Sequence, residues 1–443
     1  MFFINDFLMR IKSVIGEILI KLVLKTKVNA TCIALGLFLL SRPLSRNKKY
    51  KVLAIVKDIS FEDIKALNDN GKDIQYICIS IGVFKWIYKA ILGPQFININ
   101  VLNYDEHYLK NKDLKKYENL MMRSIKLFNK LSNIDAVITC NFTYVYLREV
   151  ANIYLKLKIP YLILYREGIV LHERKEQALD FWKKNFFNSQ ARATKIFTYN
   201  KTVSFILSNL LEEYDNENIT ITGSPRFDYY RNLNKKNNHK KKLTFFAFNP
   251  IDSFFYFDEL VDNFDSDLGE NIRNETLLVC QHIKDFAKKN KNVDVVIKFK
   301  PFAKHREGFL EDISRFFYQG EFENIKITSK KSTKELILSS SATIAFNSTT
   351  IIESLIADVP VMTPDFRKYF PDKKTNFLEA YPEICHYVSS VDAIEELIFG
   401  DGIEIRRKKI MSDKFIENYS GTSKETFSTK IVEKNIINTI TAL

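Results

Sequence analysis

The sequence predicts an α/β protein of two Rossmann-like domains facing a cleft, preceded by an amphipathic helical segment and followed by a helical tail. Three observations carry this. Short runs rich in Val, Ile, Phe and Tyr alternate with helical patterns of about 10–15 residues, the mark of βαβ units on a parallel sheet. A polar, basic stretch at 231–242 (RNLNKKNNHKKK) interrupts the alternation, and a second series of the same kind resumes beyond it. The 443 residues, 46% apolar and 27% charged, are enough for two or three domains with cores of their own.

The first 50 residues are unlike the rest. Residues 1–51 carry ten Lys and Arg against Asp6 and Glu17, so +8 of the +13 formal charge sits there. On a helical wheel Asp6, Arg10, Ser13, Glu17, Lys21 and Lys25 form one narrow face, and apolar side chains from Phe7 to Val23 cover the remainder. The apolar run at 30–40 is too short to span a bilayer core, which needs about 20 residues. No small-x-small cleavage site follows it. An in-plane amphipathic anchor with a polybasic flank fits this pattern, with an anionic membrane surface as its partner. A helix packed on its own domain is the plain alternative. Charge concentrated in this segment rather than on the folded body argues against a nucleic-acid partner. The five cysteines are scattered, odd in number and without a CxxC pair, which argues against a disulfide framework or zinc site and for a reducing cytoplasm.

The first domain, 51–232, opens with strands at 51–56 (KVLAIV) and 75–81 (QYICISI). A unit at 135–165 follows, with strand DAVIT, a helix over 144–157 and strand PYLILY. Strands at 195–199 (KIFTY) and 219–222 (ITIT) close it. After the linker, 233–242, the second domain (243–403) holds strands at 243–248, 293–299 (VDVVIKF), 325–328, 343–346 and 359–363. Residues 404–443 read as helices.

Ligands of open α/β sheets bind outside the carboxyl ends of the strands, so motifs at strand ends are where chemistry is expected. Arg166-Glu167-Gly168 follows PYLILY, and Glu167 there suits a base that takes a proton from an attacking hydroxyl, or else an ion pair with a nearby cation. Gly223-Ser224-Pro225-Arg226-Phe227-Asp228 follows ITIT. Ser224 and Arg226 suit an anionic group, while an ordinary turn with Arg226 paired to Asp228 is the alternative. Lys298, Lys300, Pro301 and His305 stand at the end of VDVVIKF, where cations and an imidazole suit a leaving phosphate; a solvated basic loop would look the same. Asn347-Ser348-Thr349-Thr350 leads from a strand into an apolar-patterned helix carrying Glu353. Its hydroxyls and free N–H groups make either a phosphate seat or a bare helix cap. No GxxxxGK[ST], GxGxxG, HExxH or GxSxG motif is present. Asp265-Ser266-Asp267 reads as a loop rather than a metal-holding strand end, so no metal is expected.

Taken in order after YREG, the segments ITGSPRFD, KFKPFAKH and AFNSTTIIESLIADVPVMTP resemble bacterial surface-carbohydrate biosynthesis proteins of the GT-B type. They are similar to capsule Kdo transferases, to bacterial polysialyltransferases and, more distantly, to CDP-glycerol glycerophosphotransferases. The resemblance covers roughly residues 130–365. It implies that Glu167 with Gly168 stands for an acidic-acidic-glycine motif, with Arg166 in place of the leading acid. Lys300-Pro301 stands where His-Pro occurs, leaving Lys300 or His305 for the histidine's part, and Ser348-Thr349-Thr350 matches a Ser/Thr pair that holds the nucleotide.

The expected function is a metal-independent, inverting glycosyltransferase of surface polysaccharide (capsule, O-antigen or lipopolysaccharide) biosynthesis. It needs no cofactor, works on the inner face of the cytoplasmic membrane, and passes a sugar from a nucleotide-activated donor, CMP-linked by preference, to a glycan or lipid-linked acceptor. Glu167 and His305 are the expected catalytic residues. Ser224, Arg226, Lys298, Lys300, Pro301, Asn347, Ser348, Thr349, Thr350 and Glu353 are the expected donor ligands. A CDP-glycerol or polyol-phosphate transferase and a non-enzymatic membrane-surface protein are the alternatives.

Overall fold

A computed structural model describes residues 29–57, 60–93, 112–142, 144–165, 170–186, 192–211, 217–231, 240–248, 250, 267–299, 307–317, 322–371, 373–400 and 405–442. The amphipathic pattern before residue 29 lies outside them, as do Glu167, Lys300, Pro301 and His305. The strands are β1 (Arg42–Pro43), β2 (Tyr50–Val56), β3 (Ile74–Ser80), β4 (Ala136–Thr139), β5 (Tyr161–Leu164), β6 (Lys195–Thr198), β7 (Ile219–Ile221), β8 (Lys242–Ala247), β9 (Asp294–Phe299), β10 (Ile325–Thr328), β11 (Ala342–Ile344), β12 (Val361–Thr363) and β13 (His386–Tyr387). The helices among the described residues are α1 (Ala30–Leu40), α2 (Phe61–Asn70), α3 (Ile81–Leu92), α4 (Lys112–Ser132), α5 (Val145–Lys156), α6 (Lys175–Phe186), α7 (Lys201–Leu210), α8 (Asp267–Lys289), α9 (Glu307–Phe316), α10 (Thr333–Ser339), α11 (Thr349–Ile356), α12 (Val391–Phe399), α13 (Ile405–Ser420) and α14 (Ser428–Thr441).

The chain divides into two compact units. The first takes residues 1–168, 178–228 and 427–443. Its sheet runs β1-β3-β2-β4-β5-β6-β7, parallel except for β1, which pairs antiparallel to β3. Strands buried on both faces must be apolar throughout, and VLAI of β2, AVIT of β4 and YLIL of β5 are fully enclosed. The apolar run at 30–40 is helix α1, started by Asn29, whose side chain accepts from Thr31 N at 2.9 Å. It buries Ile33, Ala34, Leu37 and Leu40 in this unit and leaves Leu35 and Phe38 42% and 43% exposed. Among the described residues no helix is long and apolar enough to cross a membrane.

The second unit, residues 169–177 and 229–426, has an all-parallel sheet in the order β10-β9-β8-β11-β12-β13. Its core stacks Leu243, Phe245, Val295 and Ile297 of the sheet on Val279, Ile283 and Phe286 of α8 and Ile394 and Ile398 of α12.

The two C-terminal helices part company. α13 belongs to the second unit, whereas α14 belongs to the first, burying Val432 and Ile436 beside Val52, Ile64, Leu67 and Tyr76. Asp228 anchors α14: its carboxylate accepts Ser428 N at 3.0 Å and Thr429 N at 2.7 Å, satisfying two of the N–H groups a helix start leaves open. Gly71, which ends α2, leaves no room for a side chain. A Cβ there would lie 2.6 Å from Leu67 O and 2.7 Å from the Glu433 carboxylate of α14. On the side of the second unit, Arg231 donates to Thr422 Oγ1 at 2.8 Å and to the carbonyls of Ser423 and Thr426.

Candidate functional site

In the second unit the chain leaves β8 toward β9 and leaves β11 toward β12, so the carboxyl ends of β8 and β11 flank the crevice at which such sheets bind ligands. Four of the expected donor residues, 347–350, stand there. Asn347 takes a left-handed backbone, φ 38°, which Asn tolerates better than other residues with a Cβ. Its amide braces the turn, donating to Thr375 O at 2.7 Å and accepting Phe377 N at 3.1 Å. Ser348 is the N-cap of α11: its extended backbone turns Oγ inward to accept Thr350 N at 3.3 Å. Apolar residues Ile351, Ile352, Leu355 and Ile356 seat the helix in the core, so its first turn is held rigidly.

Two features of this turn have hydrogen-bonding capacity to spare. The backbone N–H groups of Ser348 and Thr349 have no acceptor among the described residues. Thr350 is 4% exposed, and its buried hydroxyl has no hydrogen-bond partner among them either. Helix dipole, N–H groups and hydroxyls together suit the oxygens of a phosphate. Glu353, one turn on, is buried and accepts the Tyr230 hydroxyl at 2.7 Å, so it holds the segment after Asp228 to α11.

Lys298 lies near the carboxyl end of β9, opposite Phe246 of β8 and Thr328 of β10. It is buried, donates to Ser329 O, and burial holds its amine below the usual lysine range. Strand β8 separates it from the Asn347 turn on the same edge of the sheet. Of the DSD triplet, Asp267 opens α8 and the other two residues lie outside the described region. Among the described residues no three His, Cys, Asp or Glu gather as a metal cluster.

Ser224 and Arg226 are placed in the first unit and turned into its interior. Asp63 of α2 receives both: Oδ1 accepts Ser224 Oγ at 2.8 Å and Arg226 N at 3.1 Å, and Oδ2 accepts Arg226 Nη1 at 3.1 Å. The side chains of Arg226 and Asp63 are 3% and 2% exposed. Arg226 also donates to Tyr199 OH at 2.9 Å and lies over the Phe227 ring at 4.9 Å. Arg226 is therefore joined to Asp63 rather than to Asp228, which serves α14 instead. Sequence reading missed Asp63. The signal was an acid on the buried face of α2, beside Ile64, Ala66 and Leu67. It also missed Lys57, past the end of β2, whose ammonium donates to Tyr144 OH at 3.1 Å. Glu167 stands two residues after Tyr165, which is buried against Phe142 and Trp182 at the end of β5.

No protein-family model matches the chain, and no curated protein matches it in sequence. Solved structures do. A crystal structure of the wall teichoic acid polymerase TagF, soaked with CDPG, superposes with a TM-score of 0.52 at 14% identity, covering 99% of this chain and 98% of that one. The chain has the GT-B fold. A putative UDP-N-acetylglucosamine 2-epimerase from Listeria monocytogenes gives a TM-score of 0.48 at 13% identity, over 88% of this chain and 96% of that one. A glycosyltransferase from Rickettsia africae gives 0.45 at 13% identity, over 89% and 98%. Each GT-B half is a parallel doubly wound sheet, and the seven- and six-stranded sheets supply them.

Proposed function

We propose that this GT-B protein is a metal-independent, inverting glycosyltransferase that passes a sugar from a nucleotide-activated donor, CMP-linked by preference, to a glycan or lipid-linked acceptor of a surface polysaccharide. The observation that carries the reading is the start of α11: a Ser348-capped helix at the switch point of the sheet, with open N–H groups and the unpartnered Thr350 hydroxyl. That turn is proposed to seat the donor phosphate. Lys300 and His305, which follow β9 in the sequence, meet the charge growing on the leaving group. Lys298 and Pro301 belong to the same proposed donor site, and Asn347 and Glu353 hold the α11 turn in place. Glu167 is the base. Ser224 and Arg226 act by fixing the turn after β7 around Asp63.

Replacing Ser348 and Thr349 together by Ala is expected to weaken nucleotide binding at least tenfold, while the lost cap costs only about 1 kcal/mol of stability. Calorimetric titration with CMP, CDP, UDP and GDP, beside a thermal melt, checks this. Unchanged affinity would move the donor elsewhere, and no binding by the parent protein would favour a non-enzymatic role. A second reading, transfer of a polyol phosphate from a CDP-linked donor, is favoured by the likeness to TagF, a wall teichoic acid polymerase solved with CDPG. The donor consumed, CMP-sugar or CDP-glycerol, separates the two.

The protein is proposed to work at the inner face of the cytoplasmic membrane. The +8 charge of residues 1–51, the exposed Leu35 and Phe38, and the exposed Arg42, Arg46 and Lys49 beyond them support this. Each cation near an anionic surface is worth about 1 kcal/mol. Arg42→Gln with Arg46→Gln is therefore expected to weaken binding to anionic liposomes roughly 30-fold at low salt. Co-sedimentation with neutral and anionic vesicles reads this, and parent protein that ignores both vesicles removes the anchor.

A further inference from the structure

A cavity of about 490 Å³ opens in the second unit beside the strand ends of β12 and β13, and none of the residues assigned to the donor lines it. Arg367, Phe370, Lys373, Glu379, Cys385 and Tyr387 line it. Arg367 is fixed in place. Its Nε and Nη2 donate to the two oxygens of Asp365 at 2.9 and 2.7 Å, and the guanidinium stacks over the Tyr387 ring at 4.1 Å. That geometry occupies one edge of the fork and leaves Nη1 with no hydrogen bond to any described residue. A pre-aimed guanidinium edge is a receptor for a carboxylate or phosphate oxygen.

Glu379 supplies the opposite polarity. Its Oε1 accepts Thr375 Oγ1 at 2.5 Å and Asn376 Nδ2 at 2.9 Å, which fills both lone pairs. Oε2 accepts only Thr375 N, at 2.8 Å, so one acceptor site remains for an O–H donor. Burial pushes the Glu379 carboxyl up from the usual range, the sign of a group partly withdrawn from water. Phe370 and Tyr387 give apolar wall. Burial also lifts the Cys385 thiol to about 11, so it stays protonated and is no nucleophile at neutral pH. The pocket thus offers an open cationic donor, an open hydroxyl acceptor and apolar surface, and the charges around it nearly balance: Asp365 offsets Arg367, and Glu173 pairs with Lys374 at 2.8 Å. A strongly charged polyanion is not what such a balance selects. A polyhydroxylated body with one negative group is.

We propose that this pocket is a saccharide subsite of the second unit, separate from the donor seat, that takes a sugar bearing a single carboxylate or phosphate, with the anion on Arg367 and a hydroxyl on Glu379. Its place in catalysis rests on the glycosyltransferase reading; the binding itself does not. The Asn347 amide bonds Thr375, and Thr375 bonds Glu379, so the subsite and the α11 turn are braced by one short chain of contacts.

The test is calorimetric titration of the full chain with glucuronic acid, glucose 1-phosphate, glucose and inorganic phosphate, with CMP titrated on the same preparation. The expected result is binding of one or both acidic sugars, with glucose and inorganic phosphate each at least tenfold weaker. Preference for glucuronic acid or for glucose 1-phosphate assigns the anion as carboxylate or phosphate. Arg367→Gln is expected to weaken the acidic sugar at least tenfold and to leave CMP affinity unchanged. Should that variant melt early, Arg367→Lys, which keeps the charge beside Asp365 but loses the guanidinium fork, is the second probe, with the same expectation. Inorganic phosphate binding as tightly as the sugars, or affinity untouched in both variants, overturns the subsite. Loss of CMP binding alone overturns the donor reading and leaves the subsite standing.

Discussion

Asp63→Ala is expected to lower the stability of the first unit by about 3–5 kcal/mol, because it removes the carboxylate that receives the buried Arg226 guanidinium. The carboxylate accepts hydrogen bonds from Ser224 Oγ, Arg226 N and Arg226 Nη1, and both residues are too buried for water to replace it. A pair removed as a whole behaves differently. Exchanging a buried ion pair for apolar residues of similar size is often neutral, so Asp63→Leu with Arg226→Met is expected to recover most of the loss. Urea unfolding of the parent, the single variant and the double variant reads both outcomes. Nucleotide affinity of the double variant decides whether Arg226 touches the donor. Unchanged affinity leaves it a strut of the turn after β7, and affinity lost from a stable double variant would put its guanidinium on the donor.

Glu167→Gln is expected to lower turnover by at least about 100-fold, since a positioned general base contributes about 10²–10⁴-fold. The substitution keeps the shape of the side chain and removes only its ability to take a proton, so donor affinity and melting temperature should hold. The strand before it gives the reason to look here: β5 is enclosed along its whole length, and Tyr165 is fixed between Phe142 and Trp182. Turnover, donor affinity and the melt are best measured on one preparation. A variant that melts early yet keeps its rate when folded would make Glu167 an ion-pair partner, and Glu173 and Glu176 the next bases to test.

The strands were legible because central parallel strands are continuous apolar runs, and every one foreseen is present within a residue or two. The edge strands β1 and β13 were not. Two residues, RP or HY, carry no periodicity, and only their neighbours make them strands. The α11 cap could be read locally because an N-cap is a rule about adjacent residues. The Asp63–Arg226 pair could not, since 163 residues separate its members and either side chain alone looks like ordinary surface charge. The same limit applies to α14. Its amphipathic pattern says that one face is buried and is silent on which sheet receives it.

That placement of α14 sets an order on biosynthesis. The first unit is made of the earliest segments of the chain together with residues 427–443, and roughly 200 residues of the second unit are translated between them. At about 5–20 residues per second, the nascent unit waits on the order of 10–40 s on the ribosome with the seat for Val432 and Ile436 empty. The surface exposed meanwhile is apolar and flanked by Leu67 and Tyr76, the kind that holdase chaperones shield. The second unit has no such debt, because all of its segments have emerged by residue 426. A polypeptide released between residues 426 and 443 would carry a complete second unit attached to an unfinished first, a species marked out for proteolysis.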